Sequence, residues 1–541
     1  MECSEIIRRF NMHVSERSTI ESTWEMIEQF VVPFRGRFFQ DNKTEGSIEW
    51  KTRNVYDSTA IMANQTLASS IHGSLTSPAI RWFQLRFRNE KLNTNTEAKA
   101  WLEEVSDRMY YALQDSNFNL EAAETYTDLT SFGSSVIVEE YEESSDNAVE
   151  LVFSSIPIKE CYFDECHRGM LLNFYRKLSW TPMQIVSKFG EDKVPAHIRE
   201  LAEAGKMEKH DLVFCVYKRK KGEYSEEAKG PVAEESRKYG YKYVLLKTGD
   251  KLKEGGYYEM PAFIPRWRKT SDSKWGNSPA MIALPDIMTL NQLVELIIRS
   301  SEKVVDPATL VTERGLISDL DLTPGGMTVV RDIEGSIKPY ESRARFDVSE
   351  LQREKLKDSV NRAFYVDQLQ LKDSPAMTAT EVQVRYELMQ RLLGPTLGRL
   401  MSDFLDPLLS RTFSIMYRNG ALPERPEVLN NESDLDIQYV GPLARAQKSD
   451  VAASTERWLG MVAQMAEIKP EVLEFPDWEL IVRDHANVLN VPAKYMKSAS
   501  RIAADRKKQQ QAQSQMMALE QAKMAGEAGE SLGKAAQSLK G

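Results

Sequence analysis

Residues able to do chemistry are few in this chain, and they are scattered. Cys161, Cys166 and His167 lie close enough together to raise metal ligation. A closed zinc site takes four ligands and no second Cys or His pair lies nearby, so Cys161 to Trp180 reads instead as a β-hairpin turned between Asp164 and Gly169. The six histidines stand at 13, 72, 167, 197, 210 and 485, leaving acid–base or metal work few candidates. His485, in Arg483-Asp484-His485, reads as a helix-surface residue because no partner accompanies it. There is no Gly-x-x-x-x-Gly-Lys-Ser/Thr loop to wrap phosphates in backbone amides, no Gly-x-Ser-x-Gly elbow and no His-Glu-x-x-His pair. The reading assigns no catalytic residue, no metal and no cofactor. The basic run Lys218-Arg219-Lys220-Lys221 is followed at once by Glu223, Glu226 and Glu227, which makes a solvated hairpin of it rather than a DNA patch.

Composition narrows the classes further. A chain of 541 residues exceeds the ~250–300 at which single cores stop growing, so two to four structural units are expected. Hydrophobic content of 42% and charged content of 28% are ordinary for a soluble globular protein. A formal net charge of −10 weighs against a broad grip on nucleic acid, yet leaves room for a protein past which DNA must slide. Four cysteines, Cys3, Cys161, Cys166 and Cys215, are too few to staple a chain of this size, which points to a reducing compartment. No uninterrupted run of ~18 apolar residues occurs, which argues against a transmembrane helix. The start MECSEIIRRF lacks the apolar core of a signal peptide, so the chain is expected to stay in the cytoplasm where it is made.

Periodicity and capping signals organise the chain around 275–420. Ser278 before Pro279 starts a helix, because the Ser oxygen accepts orphan amides and Pro lacks one to satisfy. Pro285 re-starts or kinks it, Ile287, Leu290, Leu293, Val294, Ile297 and Ile298 form its apolar face, and Asp306-Pro307 closes it. A second helix opens on the capping box Ser349/Gln352, and a third, long one on Thr378/Glu381, broken at Gly394-Pro395 and at Asp406-Pro407. Between the first two lies a Gly-, Pro- and β-branched-rich insertion. Upstream, helices are expected over Ser15–Val31, from Asp57-Ser58 to Ser70, over Glu97–Leu113 and over Leu120–Thr130. Strands are expected at Ile80–Phe87, Ser134–Glu142 and Ala148–Ile156, the last two joined by an acidic turn, with alternation again over Val213–Pro265. A strand at Leu435–Val440 leads into helices between Ala446 and Ala499. The Ala- and Gln-rich end from Arg501 buries little by itself and needs neighbours to become ordered.

This order, together with WGNSPAMIALPDIMTLNQL at 275–293, MTATEVQVRYELMQRLLGPTLGRL at 377–400 and YVGPLARAQKS at 439–449, resembles the portal protein, or head-to-tail connector, of short-tailed bacteriophages. The resemblance covers most of the chain and rests on three signatures in the right order. It implies an α+β, mainly helical portal fold assembled as a closed ring, a dodecamer in that family, at one vertex of the capsid. It places a wing at 1–274, a first stem helix at 275–305, a clip at 306–347, a second stem helix at 348–366, a channel loop at 367–377, a long kinked wing helix and linker at 378–430, and a crown at 431–541. The implied partners are further copies of the chain, double-stranded viral DNA in the channel, the terminase large subunit, capsid and scaffolding proteins, and tail adaptors, with no membrane.

On that resemblance the channel loop comprises Asp367, Gln368, Gln370, Lys372, Asp373 and Ser374, with Lys372 the leading cation toward DNA. Arg299, Lys303, Arg353, Lys355, Lys357 and Arg362 are candidate channel-lining cations on the stem, against the plainer reading of exposed solubilising side chains. Arg331, Lys338, Arg343 and Arg345 are candidate docking residues of the clip, mixed there with Asp332, Glu334 and Glu341. Two alternatives stand beside this one: another structural virion component, such as a scaffold or tail protein, and a metal-dependent nuclease built from scattered Asp and Glu.

Overall fold

The computed structural model describes residues 1–35, 54–78, 81–88, 95–143, 149–167, 169–224, 232–271, 273–305, 309–311, 337–339, 346–369, 393–429, 435–439 and 442–466, with isolated positions at 92, 329, 469, 471, 476, 478, 481–482, 507–508 and 511. The chain divides into two compact units, 1–79 with 111–421, and 80–110 with 422–541.

The larger unit opens with helix α1, Cys3–Phe30. It starts well before the expected Ser15, because Ile6 and Phe10 extend the buried face of Trp24 and Ile27 toward the N-terminus. Helix α2, Thr59–Leu75, follows the capping signal: the Asp57 carboxylate accepts from the Thr59 amide at 2.8 Å. Helix α4, Phe118–Phe132, matches its expected span to within a few residues, as does α3, Thr96–Asp115, most of which belongs to the smaller unit.

After α4 the chain makes two antiparallel sheets. Strands β2, Val136–Glu143, and β3, Val149–Ile156, pair in full register, with the short β9, Ala262–Phe263, on the other side of β2. The outer edge of β3 is closed by α4 side chains. Asn117 accepts from and donates to the Phe153 backbone at 2.8 and 2.7 Å, and Glu121 accepts from the Ser155 amide at 2.6 Å. An edge strand closed this way cannot template a foreign strand. The second sheet is a five-stranded meander, β4 (Cys161–Glu165), β5 (Leu171–Trp180), β6 (His210–Lys218), β7 (Tyr239–Leu245) and β8 (Lys251–Tyr257). Between β5 and β6 lie two helices that pattern reading passed over, α5 (Pro182–Phe189) and α6 (Ala196–Glu203). Each is only two turns long, too short for a periodic signal. The available cues were the Thr181/Gln184 capping box and Pro182 at the first helical position.

Helix α7, Pro279–Val305, follows as one unbroken rod. Pro285 removes the amide that would reach the Met281 carbonyl, but it is exposed and the helix runs on past it, so the expected re-start does not occur. A two-stranded pair, β10 (Thr309–Val311) and β11 (Ile337–Pro339), separates α7 from α8, Phe346–Ala363. Helix α8 begins three residues before Ser349, which therefore lies in its first turn rather than at its cap. Gly394 and Pro395 lie in a helical stretch, 393–400, whose upstream neighbours, and with them the expected break, fall outside the described residues. At Asp406-Pro407 the helix changes register instead of ending: a π-helical turn, Met401–Leu405, leads into Asp406–Arg418, with Pro407 in the first turn, where its missing amide costs nothing.

The smaller unit pairs β1, Phe83–Phe87, with β12, Leu435–Tyr439, strands more than 300 residues apart in sequence. Trp101 of α3 donates its indole N–H to the Pro423 carbonyl at 3.0 Å, and Ser106 accepts from the Leu85 amide at 3.1 Å. A helix, Pro442–Ala466, follows β12.

The start of α7 is seated by a crossing of two backbones. A Cβ built on Gly276 would lie 2.0 Å from the Gly133 carbonyl oxygen, and one on Gly133 would lie 2.3 Å from the Gly276 oxygen. Gly133 also has φ +79°, the left-handed C-cap of α4. Around the crossing, Ser134 Oγ accepts from the Gly276 amide at 2.8 Å and Trp267 N donates to the Gly133 carbonyl at 2.9 Å. Ser278 Oγ donates to the Ser131 carbonyl at 2.6 Å while accepting from Met281 N at 3.0 Å, a helix cap that also ties α7 to α4. Trp275 packs edge-on against Trp24 and Phe163, with ring centroids 4.9 and 4.7 Å away. Gly276→Ala and Gly133→Ala should each lower the melting temperature sharply, whereas Gly73→Ala, at a helical glycine with open space around it, should leave it unchanged or raise it. Ser278→Ala should cost about 1 kcal/mol in denaturant titration.

Candidate functional site

Helices α7 and α8 pack together and share a polarity of burial along their length. On α7, Ala280, Ala283, Leu284, Ile287, Leu290, Asn291 and Val294 are buried, and no later residue of the helix is. Among the described side chains of α8 the buried one is Val360, with Phe364 just beyond, while Val348 and Leu351 are exposed. The pair is thus embedded at one end and stands clear of the described residues at the other. Ile282, Met288, Leu296, Ile298, Val304 and Val305 leave α7 with an exposed apolar surface. By length and average composition alone α7 could cross a membrane, although, as expected, it contains no uninterrupted apolar run of ~18 residues. The polar residues that interrupt its apolar run, among them Asp286, Asn291 and Glu295, are too few across its five-turn window to disqualify it.

Two of those polar residues fasten the helix to its own chain. Asn291 accepts from the Tyr56 amide at 2.7 Å and donates to the Asn54 carbonyl at 2.9 Å, holding the segment that leads into α2. Ser359 of α8 donates to Asp286 at 2.6 Å, and Lys357 lies 3.4 Å from Asp57.

Most of the cations singled out on these helices face carboxylates of their own chain. Arg299 pairs with Glu295 at 2.5 Å one turn earlier, Arg353 with Glu350, Lys357 with Asp57, and Arg362 approaches Asp367 at 4.0 Å. Lys303 and Lys355 are exposed. Asp367 and Gln368 do not begin a loop: they lie in the short helix Val366–Leu369, which follows a turn at Tyr365. Tyr365 has φ +59°, the left-handed region that non-glycine residues rarely occupy. Its hydroxyl lies 3.3 Å from an Arg268 nitrogen. Gln370, Lys372, Asp373 and Ser374, the Thr378/Glu381 box and His485 fall outside the described residues, as do Arg331, Arg343 and Arg345. Lys338 sits on β11 opposite Leu310.

The other chemical candidates resolve into structure. Cys161 is buried and burial pushes its thiol up, as it does Cys215, so neither is a nucleophile. The hairpin is there, with β4 and β5 paired and the turn closed by Gly169 at φ +77°. No group of three His, Cys, Asp or Glu able to hold a metal ion occurs among the described residues. Within the basic run, Arg219 is buried and donates to the carbonyls of Glu234, Arg237 and Gly255 at 2.9, 2.6 and 3.2 Å, so it closes a loop rather than meeting phosphate. A cleft of about 450 Å³ lies under the π-helical turn, lined by Phe163, Phe263 and Met170. Its ionic lining is balanced, Glu165, Glu259 and Asp403 against Lys238, Arg266 and Arg411, so it selects no charge.

Among the described residues, then, the geometry offers an exposed apolar helix surface and no metal-binding group. A family model described as bacteriophage head to tail connecting protein matches residues 4–496. The chain belongs to that family. It is 28% identical over 532 residues to a "Probable portal protein" of Bordetella phage BPP-1, covering 95% of this chain and 93% of that one. It is 27% identical over 549 residues to a "Portal protein" of Salmonella phage epsilon15, covering 96% and 94%. Among solved structures, a chain from "Virion of native gene transfer agent (GTA) particle" matches 78% of this chain and 90% of its own at 10% identity, with a TM-score of 0.34. One from "Neck of empty GTA particle computed with C6 symmetry" matches 79% and 94%, also at 10% identity, with a TM-score of 0.36, and at such distances neither carries geometry across. As a head-to-tail connector, the chain is a phage portal protein, a structural and non-enzymatic component of the virion. That sets aside the nuclease alternative.

Asn291→Ala should remove both bonds that tie the Tyr56 amide and the Asn54 carbonyl to α7, costing about 1 kcal/mol. Hydrogen exchange should then rise around residues 54–59 before it rises in α7.

Proposed function

We propose that this head-to-tail connector forms a closed ring of identical copies around an axial channel, of the kind found in short-tailed phages, through which the viral DNA is packaged and later leaves. The reading rests chiefly on α7, whose outer turns carry Leu296, Ile298, Val304 and Val305 exposed with no described partner. Burying apolar surface is favourable in proportion to its area, and a head-to-tail contact repeated by rotation covers every copy at once. Helices α7 and α8 then serve as the stem, 306–347 as the clip that docks the terminase and later the tail adaptor, and 431–541 as the crown. Capsid and scaffolding proteins would meet the outer part of the ring, formed by 1–274 and 378–430.

The electrostatics suit a conduit. The net charge is −10 and several stem cations already face Glu295, Glu350, Asp57 and Asp367. Each phosphate a protein neutralises adds a salt-dependent increment of affinity, so a sparsely cationic wall lets duplex DNA move. Lys372 is the residue assigned to touch it, one weak contact per copy at the narrowest point.

Native mass measurement of the full chain should give a high-order closed oligomer, and a monomer or two-fold dimer as the sole species would overturn the ring. Lys372→Glu should leave that oligomer intact while lowering the yield of packaged DNA. Equal packaging by the variant and the unaltered chain would return Lys372 to the ordinary class of solvated lysines.

A further inference from the structure

The helix Asp406–Arg418 lies against β2 through a buried ionic cluster that the assembly reading does not use. Glu139, in the middle of β2, is fully buried, and so is Thr412. Thr412 Oγ1 donates to Glu139 Oε1 at 2.7 Å, whereas Oε2 has no hydrogen-bond partner and is 3.8 Å from Arg411 Nε. Arg411 is itself buried, and its best bonds go elsewhere, from Nε to the Glu139 main-chain carbonyl at 3.2 Å and from Nη1 to the Glu259 carbonyl at 3.0 Å. The other charged groups facing the cluster are Glu259 and Arg418, joined by two bonds of 2.7 and 2.8 Å. Next along β2, Glu140 accepts from the Tyr257 hydroxyl at 3.0 Å. Glu139 is therefore a carboxylate out of water with one hydroxyl donor, a loose cation and an unsatisfied oxygen. Immediately before this helix, the π-helical turn Met401–Leu405 interrupts the regular ladder, a place where a helix can pivot.

We infer that Glu139, Arg411 and Thr412 form a proton-operated latch, in which protonated Glu139 holds the helix Asp406–Arg418 on the three-stranded sheet and ionised Glu139 loosens it about the π-helical turn. Desolvation drives this, because burial disfavours the charged carboxylate, and the opposing pull of Arg411 and Thr412 is too weak to cancel it. The Glu139 carboxyl is pushed up to about 7. With the released group titrating near an ordinary glutamate, the sign is fixed. The closed state binds the extra proton, so the latch is at full strength below about 4.5 and weakens as pH rises through about 7. Glu259 and Arg418 are partly exposed and paired with each other, so the buried carboxylate with an unsatisfied oxygen in this cluster is Glu139.

Hydrogen exchange of residues 408–416 in the full chain, corrected for intrinsic rates, reads the latch directly. Protection should fall about tenfold between pH 6 and pH 8.5, while that of β6 and β7 stays level. Glu139→Gln keeps the shape and the acceptor for Thr412 but cannot ionise, so its protection should be flat across the same range. Should the variant misfold, the unaltered chain still decides the matter, because pH-independent protection of 408–416 would overturn the latch. So would a fall of equal size in Glu139→Gln. Thr412→Val, which removes the one hydroxyl donor to the carboxylate, should move the midpoint of the transition to higher pH, and an unchanged midpoint would count against the inferred geometry.

Discussion

Two main-chain segments cross at Gly133 and Gly276 with no room for a Cβ on either, and the relation of the long helix to the rest of the larger unit depends on that crossing. Because the carbonyl of one residue occupies the place of the other's side chain, α4 and the chain entering α7 are held at contact distance. Ser278 then converts the contact into a direction. Its single hydroxyl caps α7 and donates to the last turn of α4, so the helix leaves the core at a set angle. Trp275, wedged between Trp24 and Phe163, brings α1 and the β4–β5 hairpin into the same joint.

Local signals made much of this legible. Ser278-Pro279 marked the helix start, strand-like patterns located β2 and β3, and a turn between Asp164 and Gly169 located the β4–β5 hairpin, because these features depend on neighbours in the sequence. The crossing itself was not legible. WGNSP and SFGSS are unremarkable separately, and only the fold shows that each glycine excludes a side chain from the other. The buried arginines escaped notice for the same reason. Arg17 donates to the carbonyls of Lys159 and Cys161 while lying 3.8 Å from the Tyr162 ring centroid, and Arg219 and Arg411 close loops in the same manner. In sequence each is one more cation, and Arg219 even sits in a basic run. A guanidinium carries five donors in a rigid fork, so it can satisfy several loop carbonyls at once, something lysine cannot do.

The cations on α7 and α8 show the limit of charge counting. By type, Arg299, Arg353, Lys357 and Arg362 were candidates for a channel wall, yet each lies near an acid of its own chain. Exposed pairs of this kind contribute little to stability. Their larger effect is to lower the net positive field these helices present. Helix α7 is largely apolar and the charges of α8 are many but balanced in sign, which suits the proposed contacts with other copies and with a mobile polyanion. Lys372 and the residues around it, assigned from likeness to portal sequences, could not be weighed by the same test because they fall outside the described residues.

The central claim is that the exposed apolar surface of α7 is covered by another copy of the chain. Oxidative footprinting of Met288, which is 41% exposed on that surface in the single chain, tests it most directly. In the assembled full-length protein Met288 should oxidise far more slowly than after dilution has separated the copies, while Met183 and Met207, exposed elsewhere in the larger unit, report the dose in both states. A Met288 rate that does not change on assembly would contradict the account.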